Sequence, residues 1–128
     1  MGYSDFTGAD LGGCNFQGAT ADHTIFDSAD ASTLAPYVTR FQGADLRHAS
    51  FHDAKINNAN FDNSDLRAAD LRVASMVGAS FKGACYDVAT QWPSGVDATT
   101  LGASLSKVDV EQSIAISVDA SDCATSRE

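Results

Sequence analysis

The sequence predicts an all-β solenoid, a chain wound into stacked coils, and three observations predict it. All seven phenylalanines (Phe6, Phe16, Phe26, Phe41, Phe51, Phe61 and Phe81) fall on one five-residue grid, which Leu11, Leu46, Ile56, Leu66, Leu71, Met76 and Tyr86 share. The residue two places earlier is small: Ser4, Ala9, Cys14, Ala19, Thr24, Ala29, Thr39, and then Ala44 to Ala84 with Ser64 once. Gly8, Gly13, Gly18, Gly43, Gly78 and Gly83 each lie two residues after a grid position. A period of five fits neither a helix nor a strand and marks a repeat architecture.

Each unit follows from this pattern. The large residue and the small one before it point to one axis, because so regular an apolar pair is unstable in water. The remaining positions, as in Asp45-Leu46-Arg47 or Asn60-Phe61-Asp62, are polar and form an outer surface. A type II turn needs positive φ at its third residue, which glycine supplies without steric cost. Each unit is therefore a short extended piece followed by a corner. Coils built from such units stack at the strand spacing of about 4.8 Å.

Units such as Ala44-Asp45-Leu46-Arg47-His48 and Ala69-Asp70-Leu71-Arg72-Val73 resemble the A-(D/N)-L-x-x motif of the pentapeptide-repeat proteins. The resemblance covers Tyr3 to Tyr86 with one interruption. It implies a right-handed quadrilateral β-helix with about twenty residues per coil, about four coils in all. On that geometry Phe41, Phe61 and Phe81 stack on one face, and Arg47 and Arg67 stand beside Asp45 and Asp65.

The domain boundaries are read as 1–86 for the β-helix and 87–128 for a cap and tail. The interruption lies near 32–39, where Leu34 is too large for the small position and Pro36 cannot serve as a packing centre. The grid resumes in phase at Phe41, so the interruption is a whole number of units long. It reads as a loop bulging from one corner, and Leu34, Tyr37, Val38 and Arg40 are candidate partner-binding residues. Loops on a rigid scaffold commonly hold such residues. Folding back on the coil is the alternative.

After Tyr86 the stretch Tyr86-Asp87-Val88-Ala89-Thr90-Gln91-Trp92-Pro93 resembles a closing segment that follows pentapeptide repeats. A solenoid end exposes apolar side chains and strand edges that need covering. Trp92 and Pro93 are the expected cap. Farther on, Val110, Ile114 and Val118 lie four apart, as on one helix face starting near Asp109. Ile114, Ile116 and Val118 also alternate and are β-branched, which favours a strand. The residues Val108 to Ala115 resemble the end of a mycobacterial fluoroquinolone-resistance member of the family. That resemblance implies a short terminal helix and a homodimer joined through Val110, Ile114 and Val118. Residues from Asp119 onward read as disordered.

The formal charge of −9 is uneven. Residues 1–39 hold five aspartates and no Lys or Arg; residues 40–86 hold five aspartates against six basic residues; residues 87–128 hold seven acids against two. Direct nucleic-acid binding is disfavoured, because phosphate contacts need a basic surface. No apolar run reaches bilayer length and no signal peptide is visible, so no membrane partner is expected. Three cysteines without a pairing pattern suggest a reducing compartment, hence the cytoplasm, with Cys14 in the core and Cys85 pointing outward.

No catalytic constellation or cofactor motif is present, no CxxC accompanies the cysteines, and a metal or acid/base pair at His48 and His52 would need a carboxylate such as Asp53, so these read as surface histidines. His23, His48 and His52 are outward, and only His48 and His52 are close in sequence. Two readings of function follow. One is a non-enzymatic interaction or scaffolding module with a protein partner. The other comes from the family resemblance, which implies a DNA mimic occupying gyrase or topoisomerase IV and protecting it from quinolones. Asp5, Asp10, Asp27, Asp30, Asp45, Asp65 and Asp70 on the outer faces are the candidate partner-facing acids; under the scaffolding reading the aspartate ladder is a solvated face and contacts centre on the loop or the cap. The mixed charge of residues 40–86 opposes mimicry, which needs one sign along its length.

Overall fold

A computed structural model describes residues 3–32 and 38–105. The backbone is a stack of coils joined by single parallel bridges rather than long strands. Asp5 bridges Ile25 and Asp10 bridges Asp30, an offset of one four-unit coil. The offset then lengthens by one unit, with Asn15 on Arg40, Thr20 on Asp45, Ile25 on Ser50 and Asp30 on Lys55. It returns to four units from Arg40 on Asn60 through Asp65 on Cys85. The interruption is thus one whole unit inserted into a single coil. Leu34 and Tyr37 lie outside the described residues; Val38 is half-buried and Arg40 is exposed where the chain rejoins the ladder.

The phenylalanines fill two facing columns. Phe16, Phe41, Phe61 and Phe81 stack in parallel at 4.9, 4.7 and 5.0 Å between ring centroids. Phe6, Phe26 and Phe51 form the second column at 5.4 and 4.6 Å. The columns meet edge to face, as between Phe26 and Phe41 at 5.6 Å and 90°. Both geometries suit the ring quadrupole. Leu46, Ile56, Leu66 and Leu71 complete the core and are fully buried. Ala21 and Ala31, small residues at grid positions, are buried as well and keep their place in the coil.

The corners behave as the turn chemistry requires. Ala9 N–H donates to Phe6 O at 2.9 Å, Cys14 N–H to Leu11 O at 3.0 Å, and the residue between has positive φ. At Gly78 and Gly83 a second constraint acts. The Asn58 and Asn63 carboxamides lie where a β-carbon would stand. One corner departs from the pattern. Val73 occupies a position that needs positive φ, which a β-branched residue resists. Val73 does not adopt it, Val73 N–H bonds Leu71 O at 2.7 Å, and Ala74, expected inward, is exposed.

Side chains replace the ladder where it is broken. Beside the inserted unit, Gly13 N–H donates to Thr39 Oγ1 at 2.9 Å, and that hydroxyl donates to Leu11 O at 3.1 Å. Beyond the last regular coil, Ala68 N–H donates to Asp87 Oδ1 at 3.0 Å, where His23 and His48 use backbone carbonyls. Thr90 Oγ1 donates to Leu66 O at 2.8 Å and accepts from Asp87 N–H at 3.0 Å. The Asp87 and Thr90 side chains therefore pair Ala68 N–H and Leu66 O before the ladder resumes at Gln91.

Strand β1 (Cys85–Tyr86) pairs in parallel with β2 (Ser104–Leu105), after a 3-10 turn at Ala98–Leu101. Trp92 meets Phe81 edge-on at 5.4 Å and Tyr86 at 5.7 Å. Its indole N–H is buried and has no partner among the described residues. Cys14 packs against the core, half-buried. Cys85, expected outward, is fully buried.

Candidate interaction surface

Four outer faces surround this core, and their chemistry is set by which side chains the coil register brings together. Asp45, Asp65 and Asp70 each have an arginine two residues later that turns back onto them. Arg47 donates to Asp45 through Nε and Nη2 at 2.8 and 2.7 Å, and Arg67 to Asp65 at 2.9 and 2.8 Å. Arg72 does the same to Asp70 at 2.9 and 2.7 Å. Arg47 Nε also lies 3.8 Å from Asp65, on the next rung. Such forked pairs are the strong form of charge-assisted hydrogen bond.

The pairs shift protonation in the direction expected. The Arg47 hydrogen bond holds the Asp45 carboxyl below its ordinary value, against the partial burial that would raise it. Arg72 does the same for Asp70. Both guanidiniums are raised in turn, each chiefly by its own aspartate.

Asp5, Asp10, Asp27 and Asp30 differ. Among the described residues none has a Lys or Arg within ion-pair distance. Asp10 and Asp30 accept only from Gly12 N–H at 3.3 Å and Ser32 N–H at 3.0 Å. Asp5 accepts from Thr7, backbone and hydroxyl, and the hydroxyl bond is the main cause that lowers its carboxyl. Asp27 accepts from Ser50 Oγ and from His52 N–H on the adjacent coil. Asp10 and Asp30 occupy bridged positions on successive coils. Like charges placed so are destabilising. Lys55 follows on the next rung without closing an ion pair.

The histidines are arranged differently from their sequence spacing. His48 does not meet His52. It stacks on His23 at 4.5 Å, and Tyr3 stacks on the other face of His23 at 4.8 Å. His52 instead lies 3.4 Å from Asp53. The separation of 25 residues between His23 and His48 equals the lengthened coil, which is the signal that could have revealed the pair. No group of three or more His, Cys, Asp or Glu side chains among the described residues is disposed to hold a metal ion. No helix among them is long and apolar enough to cross a membrane.

The family model described as pentapeptide repeats matches in eight copies, over residues 4–32, 39–72 and 54–85. The chain belongs to the pentapeptide-repeat family. Its coils are those of the family's right-handed β-helix. No curated protein matches the chain. Several solved pentapeptide-repeat structures are similar to it. One from Nostoc PCC 7120 is 27% identical, with 79% of this chain and 84% of that one covered and a TM-score of 0.40. HetL, involved in heterocyst differentiation regulation in Nostoc sp. strain PCC 7120, is 20% identical over 79% of this chain and 57% of its own, with a TM-score of 0.40. QnrB1, a plasmid-mediated fluoroquinolone resistance protein, is 16% identical over 88% and 84%, with a TM-score of 0.30. The family assignment rests on the repeat match, and these likenesses add no functional argument.

Proposed function

We propose that this pentapeptide-repeat protein is a non-enzymatic interaction module whose protein partner presents a basic surface to its first coils. The observation that supports this is the contrast between two pairs of bridged aspartates. Asp45 and Asp65 are each clamped by an arginine. Asp10 and Asp30 stand in the same relation, and among the described residues neither closes an ion pair, although Lys55 occupies the next rung. A like-charged pair that costs stability is explained if a partner supplies the cations. Asp5 lies on the adjacent face, in the column of Ile25 and Ser50, and Arg40 on the next face, in the column of Asn15 and Asn60. Asp45, Asp65 and Asp70 drop out as contacts, since their oxygens are already engaged.

The ends of the rod complete the reading. We take it as a quadrilateral helix of about four coils, closed at its C-terminal end by Trp92 and Pro93. The stripe of Val110, Ile114 and Val118 lies outside the described residues, and a homodimer through it stays a proposal from sequence.

The test is differential capture. Immobilised full-length chain and its Asp10→Asn/Asp30→Asn variant are exposed to the same cell extract at low and high salt, and bound proteins are quantified. A protein retained by the wild type at low salt, and lost both at high salt and on the variant, supports the reading. Identical retention by both chains contradicts it.

A second reading, gyrase or topoisomerase IV bound by DNA mimicry, draws on the same free aspartates. It is opposed by Arg40, Arg47, Lys55, Arg67, Arg72 and Lys82, which break the negative run. A gyrase supercoiling assay at two salt concentrations, with and without a quinolone, separates the readings. Salt-sensitive inhibition or quinolone protection favours mimicry; no effect favours the interaction module.

A further inference from the structure

We propose that His23 and His48 form a surface site for a divalent transition-metal ion that favours imidazole, in the class of zinc, nickel and copper. The inserted unit sets the register. It lengthens the second coil by five residues, so His23 N–H donates to Arg47 O at 2.9 Å and the two rings stack at 4.5 Å with 9° between planes. Both residues sit at a corner with φ of 61° and 62°, which throws their side chains outward. The His23 side chain is 39% exposed, and His48 is also exposed.

Three features make the pair a donor set. Asp22 Oδ2 lies 3.3 Å from His23 Nδ1. That contact places the imidazole proton on Nδ1 and leaves the Nε2 lone pair facing away from the carboxylate. A carboxylate behind a ligating imidazole raises its basicity and fixes its orientation. The nearby cation, Arg47, is turned into Asp45 and toward Asp65 rather than toward the rings. Tyr3 covers the outer face of His23 at 4.8 Å, which limits how that ring turns. Metal–imidazole bonds are about 2.0–2.1 Å. Binding of one ion by both rings requires the two exposed side chains to splay from this stack. With two protein ligands the ion keeps water in its other positions, so binding is exchangeable rather than structural.

The choice of residue supports the reading. The equivalent positions on the other corners hold Gly8, Gly13, Gly18, Gly43, Asn58, Asn63, Gly78 and Gly83, with Tyr3, Ser28, Asp53 and Ala68 as well, all at positive φ. Glycine and asparagine occupy this conformation readily. Two imidazoles on consecutive rungs of one corner are not required by the turn.

The test uses tag-free full-length protein titrated with Ni²⁺ and with Zn²⁺ by calorimetry, at a pH above and a pH below the ordinary imidazole range. His23→Asn and His48→Asn preserve the corner, since Asn58 and Asn63 hold the same conformation at φ of 65° and 62°. His52→Asn is the control, because His52 pairs with Asp53 instead of joining the stack. The expected result is one ion per chain, released at the lower pH, with affinity reduced at least about tenfold in His23→Asn and in His48→Asn. His52→Asn leaves it unchanged, and urea midpoints of the corner variants do not fall. Paramagnetic Ni²⁺ should broaden the His23 and His48 ring signals in the wild type and spare His52. No uptake at millimolar metal, equal loss in all three variants, or binding abolished only by alkylating Cys14 would overturn the proposal.

Discussion

The coils before residue 32 and those after residue 38 share one core but treat the aspartates at their bridged positions differently. In the later coils each of Asp45, Asp65 and Asp70 is followed by an arginine that folds back onto it. In the earlier coils Asp5, Asp10, Asp27 and Asp30 have only neutral hydrogen-bond donors. Ala9-Asp10-Leu11 and Ala44-Asp45-Leu46 begin their units alike and differ at the fourth residue, Gly12 in one and Arg47 in the other. A single side chain per unit decides whether an aspartate is a closed local pair or an open charge. The repeat therefore fixes the rod, and the variable positions decide what it meets.

The largest expected effect tests whether the two regions share a continuous core. Phe41 is fully buried between Phe16 and Phe61, whereas Phe6 is half-buried at one end of its column. Phe41→Ala should cost about 3–5 kcal/mol in urea unfolding, and Phe6→Ala distinctly less. Equal costs would mean that the regions unfold independently. The next effect concerns their junction. Thr39 is fully buried and its hydroxyl serves both Gly13 N–H and Leu11 O. Thr39→Val keeps the shape and strands Gly13 N–H, while Leu11 O keeps its bond from Cys14 N–H, at a cost of about 1–3 kcal/mol. A neutral result would show that the inserted unit is held by other contacts.

The smallest effect is the acid dependence of the later coils. Asp45 and Asp70 are held below their ordinary value when folded. Their pairing thus stabilises fully above the unfolded value of about 3.9 and is lost as pH falls through the lower folded value. These pairs are exposed on one side and screened by solvent, so their contribution is small. Melting temperature measured from pH 5 downward should fall less steeply in Asp45→Asn/Asp70→Asn than in the wild type. Parallel curves would show that the forks add nothing to stability.

Much of this fold is legible in the sequence because the core repeats without error. Seven phenylalanines on one grid define the columns, and the Asp-x-Arg spacing places Arg47 and Arg67 beside Asp45 and Asp65. Other features depend on information the grid hides. The inserted unit keeps the phase, so nothing local shows that His23 faces His48 rather than residue 43. Val73 interrupts a corner while Ala74 still satisfies the pattern, and only the backbone demand for positive φ exposes the conflict. Cys85 looks outward by its place in the unit, yet it is buried. The free aspartates were legible as acids but not as unpaired, since pairing depends on where each neighbouring side chain turns.

The measurement that tests the central contrast most directly is capture of a partner by two matched variants at low salt. Asp10→Asn/Asp30→Asn removes two open charges; Asp45→Asn/Asp70→Asn removes two closed ones. The account predicts that the first variant loses the partner and the second retains it. Loss on the second with retention on the first would place the interface on the later coils and contradict the account.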